Sequence, residues 1–305
     1  MATGGTTPRR WGEGAPLGDA TSLAAVLPEL LIEARRVSHT ILSGWHGRRR
    51  PGTGETFWQF RPYVAGEPAD AIDWRRSARD DHLYVRETEW EAAHTVWLAP
   101  DLSGSMNFRS RLAMATKRDR SAVLALALAF LLAGAGERVG LLGRTNPLLS
   151  RRAAETIARA LEPVDATAVP ETRALRRHAD LILIGDFLDP LDEVEARLER
   201  VARTGARAHL IQVVDPIEET FPFAGRTEFV DPETGLRHVV GRAETYRDAY
   251  RERLALLRDR LSMRARRRGW TFLIHRTDRP ATEPLLALHA RLTDRGIFGG
   301  AGRAA

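Results

Sequence analysis

Asp101, Ser103 and Ser105, three oxygen-bearing side chains at alternate positions, form the stretch of this chain best suited to chemistry. One carboxylate and two hydroxyls make a hard, oxygen-only donor set, which suits Mg²⁺ or Mn²⁺ rather than zinc. The stretch follows an apolar run, Val96-Trp97-Leu98, and precedes a long alanine- and leucine-rich segment. That pattern predicts a strand that ends at Asp101 and turns into a helix. Its loop would then lie at the carboxyl edge of a sheet, where open α/β sheets bind their ligands. The competing interpretation is a plain strand-to-helix turn capped by Ser or Asp.

A second aspartate belongs at the same edge. Leu181-Ile182-Leu183-Ile184 is an unbroken branched apolar run, as in a central parallel strand buried on both faces, and it ends in Gly185-Asp186. If the two strands are neighbours, Asp101 and Asp186 flank one ion together with Ser103 and Ser105.

The remaining elements must position that edge. Ala20–Leu42 reads as an amphipathic helix, and Arg111–Ala133 as a long helix whose second half is apolar nearly all round and therefore buried. Arg138–Gly143, His209–Asp215 and Trp270–His275 read as strands. Arg151–Leu161, Pro190–Arg203, Ala243–Arg268 and Leu285–Leu292 read as helices. Thr227–Val240 has the pattern of a β-hairpin over an Asp-Pro-Glu-Thr-Gly turn. Alternating strands and helices predict an α/β fold with a doubly wound, mainly parallel sheet.

Composition sets outer limits. A chain of 305 residues with 43% hydrophobic residues can fill one large α/β domain. The absence of cysteine excludes disulfides and thiolate metal sites. No secretory signal is apparent, and the most apolar stretch, Ala122–Ala133, is too short to span a bilayer, so the expectation is a soluble, cytoplasmic protein. The net charge of +6 is spread among interspersed acids, and Lys117 is the single lysine, so 45 of the 46 basic residues are arginine. A generic basic nucleic-acid binder is therefore a minor alternative.

Residues 1–20 are rich in Gly, Thr and Pro and are expected to be disordered. Residues 21–93 hold the first helix and an aromatic-rich arm containing Trp45, Trp58, Trp74 and Trp90, and residues 94–298 form the α/β domain. Aromatics at that density are expected to bury against a neighbouring surface.

The Asp-x-Ser-x-Ser stretch resembles the metal-ion-dependent adhesion site (MIDAS) of von Willebrand factor A domains. The upstream order Phe60-Arg61-x-Tyr63-x-x-Gly66-Glu67, then Ile72-Asp73-Trp74-Arg-x-Ser77-Ala78-Arg79, then Leu83-x-Val85-x-Glu87, resembles the bacterial DUF58 family. Glu67 stands where that family's pattern has Asp, and Ala69-Asp70-Ala71 lacks its Arg. The resemblance implies a von Willebrand A-like domain in which Asp101, Ser103, Ser105, Asp186 and a second-loop threonine hold the metal. Thr167 fits that place better than Thr172. It further implies a ligand clamp that takes a partner's carboxylate and breaks no bond, so the protein is not expected to be an enzyme. The implied job is protein–protein interaction or assembly, as an adaptor between a MoxR-type AAA+ ATPase and a client protein. Arg61, Tyr63, Asp73, Trp74 and Arg79 are candidate partner-binding residues, although Asp73 and Trp74 fit a packed structural pair better. The enzyme alternative is a metal-dependent phosphohydrolase using Asp101 and Asp186.

Overall fold

The computed structural model describes residues 9–10, 21–43, 57–64, 69, 72–79, 81–88, 94–150, 152–161, 172–232 and 234–293. In chain order the strands are β1 (Arg9–Arg10), β2 (Phe57–Pro62), β3 (Tyr84–Thr88), β4 (Thr95–Pro100), β5 (Arg138–Leu141), β6 (Asp180–Gly185), β7 (Arg207–Val214), β8 (Thr227–Val230), β9 (Arg237–Val240) and β10 (Thr271–Arg276). The helices are α1 (Thr21–Ser43), α2 (Trp74–Ser77), α3 (Lys117–Gly134), α4 (Ala153–Ala160), α5 (Leu191–Arg203), α6 (Pro216–Thr220), α7 (Arg247–Arg267) and α8 (Thr282–Thr293). The chain divides into two compact units, residues 45–93 and the remainder.

The larger unit holds a five-stranded sheet in the order β10-β7-β6-β4-β5, parallel throughout. Successive side chains on a strand point to opposite faces, and here each face has its own core. Val96, Leu98, Ile182, Ile184, Ile211 and Val213 pack with α1, α3, α4 and α8 on one face. Trp97, Ala99, Leu181, Leu183, Ala208 and Leu210 pack with α5 and α7 on the other. This is the expected doubly wound, mainly parallel α/β sheet. Its order is one in which the winding reverses between β4 and β6, and that reversal opens a crevice at the carboxyl ends of those two strands.

The division between units corrects one expectation. The first helix was grouped with the arm, but Leu30, Ala34, Val37 and Ile41 of α1 are buried in the sheet's own core. Its apolar face needs a large surface, and α3 supplies one. α3 itself begins at Lys117 instead of Arg111, because Thr116 caps it by accepting the Asp119 N–H. Residues 108–116 are tied down separately, with Ser110 N–H donating to Asp215. The expected hairpin is present as antiparallel β8 and β9, with Thr227 opposite Val240.

The smaller unit pairs β2 with β3 in antiparallel fashion. The expected disorder of residues 1–20 concerns, apart from β1, positions outside the described residues, as do Trp45 and Trp90.

Candidate functional site

β4 and β6 are neighbours, and Asp101 and Asp186 directly follow their carboxyl ends. The Asp101 N–H still pairs with the Ile184 carbonyl at 2.7 Å, so the loop leaves the sheet in register with β6. Asp101 Oδ1 then accepts the Ser103 N–H at 2.9 Å, which folds the loop back on itself. Ser103 precedes the short 3₁₀ turn Gly104–Asn107, which Met106 anchors by complete burial. That turn brings the Ser103 and Ser105 hydroxyls within 3.0 Å of each other.

Gly185 makes room for this arrangement. A Cβ at that position would stand 3.0 Å from Asp101 Cβ and 3.3 Å from its Oδ2. Gly185→Ala is expected to push Asp101 aside at a cost of about 1–3 kcal/mol, read as a lower urea midpoint. An unchanged midpoint would show that the loop yields freely.

Asp186 is 4% exposed, and both its oxygens are already engaged. Oδ1 accepts the Leu188 N–H at 3.2 Å, past Phe187, which sits in the left-handed region at φ 55°. Oδ2 accepts the Lys117 ammonium at 2.8 Å. Lys117 also donates to Glu218 Oε1 at 2.6 Å, and the other Glu218 oxygen accepts the Asp215 N–H at 2.8 Å. Asp215 ends β7 and caps α6 through Ile217 N–H. The sheet's carboxyl edge is thus one connected network, Asp186–Lys117–Glu218–Asp215–Ser110.

Burial draws the Lys117 ammonium down, but the charges of Glu218 and Asp186 outweigh it, and its pKa stands above the ordinary lysine value. Lys117 is therefore a fixed cation and not a nucleophile. Burial raises the Glu218 carboxyl, against the pull of Lys117. Burial likewise raises Asp101, opposed by the Ser103 hydrogen bonds and reinforced by the charges of Asp186 and Asp189. An acid in that position gains from a nearby cation.

The residues foreseen for a metal separate accordingly. Asp101, Ser103 and Ser105 come together and suit a hard cation, whereas Asp186 is held by Lys117. Thr167 lies outside the described residues, and Thr172 opens the short 3₁₀ turn Thr172–Ala174. Among the described residues no three or more His, Cys, Asp or Glu side chains converge as a metal cage, so a metal would rest on Asp101 and hydroxyls. Glu218 and Asp215 were not foreseen. A capping-box pattern, Asp-Pro-x-Glu at the end of a buried strand, was their only local signal.

In the smaller unit, Asp73 caps α2 by accepting the Arg76 N–H at 2.9 Å, and Ser77 Oγ donates to the Asp73 carbonyl. Arg76 lies over the Tyr84 ring at 4.7 Å. Asp73 is thus a structural cap. Trp74 is 62% exposed, which corrects the expectation that it is packed. Tyr63 is half-buried and its N–H donates to the Leu83 carbonyl, Arg79 is exposed, and Arg61 faces Val85 in the β2–β3 register.

Uncharacterized proteins of Mycobacterium tuberculosis and Mycobacterium bovis are each 28% identical to this chain over 283 residues, covering 86% of it and 87% of their own length. Two solved structures show weaker likeness. The conserved hypothetical protein BatB of Bacteroides thetaiotaomicron is 12% identical with a TM-score of 0.38, and covers 66% of this chain and 100% of its own. An aerotolerance-related membrane protein of Bacteroides fragilis is 13% identical with a TM-score of 0.39, at the same coverage. That membrane title, and that of a membrane spanning protein of Vibrio fischeri (16% identical over 65% of this chain and 96% of its own, TM-score 0.17), overturn the expectation of a cytoplasmic protein. Among the described residues no helix is long and apolar enough to cross a membrane. The family model described as "Protein of unknown function DUF58" matches residues 59–260, well over half of the chain, and the chain belongs to that family.

Proposed function

We propose that the protein is a divalent-cation-dependent protein-interaction module of the von Willebrand A type. The observation that carries this reading is the convergence of Asp101, Ser103 and Ser105 on one loop at the switch point of the sheet, beside Asp186. Bound there, Mg²⁺ or Mn²⁺ would supply a coordination position for a carboxylate of the partner. The chain's own residues would orient that carboxylate, with no covalent bond made or broken. Resemblance to DUF58 proteins supports a MoxR-type AAA+ ATPase as the partner class, with the protein acting as its adaptor to a client.

Calorimetric titration with Mg²⁺ and Mn²⁺ tests the reading on the wild type and on Asp101→Ala. One bound ion is expected for the wild type, with loss of binding in the variant. The variant should remain folded. Its carboxyl is raised above the ordinary value in the fold, so the ionised form opposes folding above that pKa and its removal relieves a cost at neutral pH. Absence of binding by the wild type would defeat the proposal.

A further inference from the structure

This chain uses arginine at every basic position but one, and the exception, Lys117, lies in the interior at 1% exposure, inside the candidate site. Those two facts are independent, and both point to a need for an ammonium. A single Nζ reaches Asp186 Oδ2 at 2.8 Å and Glu218 Oε1 at 2.6 Å, with the Phe108 ring centre 5.8 Å away. An ammonium is a compact charge with donors that rotate to meet two oxygens, whereas a guanidinium is a longer planar fork. The second oxygens of Asp186 and Glu218 are taken by the Leu188 and Asp215 N–H groups, so both carboxylates are fully committed within the protein. Asp101 differs, since its Oδ1 accepts only the backbone of its own loop and its Oδ2 lies toward Gly185.

We propose that Lys117 is the resident cation and positioning residue of this site. Its ammonium holds Asp186 and Glu218 in place of a metal, and confines an incoming divalent ion to Asp101, Ser103 and Ser105. The first half stands on geometry alone, and the second rests on the function proposed above. Asp101, Asp186, Glu218 and Lys117 together carry two negative charges, which one divalent ion neutralises. The cluster is a one-ion centre, with the place of a second metal filled by the protein itself.

The single lysine makes the test direct. Protein grown with side-chain nitrogen-15 lysine gives one ammonium resonance, and burial between two carboxylates should slow its proton exchange enough to be seen at neutral pH. Glu218→Gln is expected to shift that resonance. One equivalent of Mn²⁺ should broaden it in the wild type and not in Asp101→Ala. An ammonium lost to fast exchange would overturn the assignment whether or not a metal binds. A sharp resonance that Mn²⁺ never broadens would sink the cation reading at Asp101 while upholding Lys117 as the resident cation. Where Mn²⁺ does bind, Lys117→Arg, shown folded by circular dichroism, should weaken it about 10–100-fold. Wild-type affinity in that variant would refute the positioning role, since the charge would then suffice without the shape.

Discussion

Lys117→Met is expected to cost about 3–5 kcal/mol of folding stability, because it leaves buried carboxylates without their cation. The side chains of Asp186 and Glu218 are only 5% and 16% exposed, so water cannot replace the ammonium. Methionine keeps most of the volume, which limits any cavity contribution. The loss should shrink toward acid pH, as the orphaned carboxylates take up protons and lose the charge that makes them costly. Adding Glu218→Gln should recover part of it, since groups sharing one network do not contribute additively. Urea unfolding of the two single variants and the double variant measures all three quantities. A cost below about 1 kcal/mol would place these acids in a wetter setting, where an ion pair contributes little.

Acid pH should produce a second large effect, through His275. Burial, and then the charge of Arg120, push its pKa from 6.5 down to about 3, with Asp278 opposing. Its Nε2 is buried without a hydrogen-bond partner among the described residues. Because the folded pKa lies below the unfolded one, the unfolded chain binds the proton first as pH falls. The stability is fully present above 6.5 and declines between 6.5 and about 3. At about 1.4 kcal/mol per pH unit, roughly 4 kcal/mol is lost across that window. Carboxylates titrate at its lower end, so the informative quantity is the difference between wild type and His275→Leu. The variant should show a flatter dependence of the urea midpoint from pH 7 to 4. Parallel curves would mean that His275 is protonated in the fold without penalty.

The sheet was largely legible in the sequence because its strands carry unbroken apolar runs. Leu181 to Ile184 needs burial on both faces, and β6 is flanked by strands on both edges. The positions of Asp101 and Asp186 followed from the same logic, since each ends such a run. Lys117 was not legible as part of the site. It lies 69 residues from Asp186 and 101 from Glu218, and only the folded path of α3 brings them together. The start of α3 was misplaced for a related reason: residues 111–116 have helix-compatible composition, but tertiary ties at Ser110 and the Thr116 cap decide the boundary. The fate of Trp74 escaped as well, because aromatic density says that burial is favourable without saying which ring obtains it.

The burial of the one lysine also decides how this protein meets electrophiles. Beyond a terminal amino group, its surface presents guanidinium groups and no primary amine. Acylating reagents, amine-directed cross-linkers and enzymes that attach tags through isopeptide bonds would find no side chain to modify on the folded molecule. Partner contacts must then be trapped through carboxylates or arginines, and amine labelling at Lys117 becomes a report of unfolding.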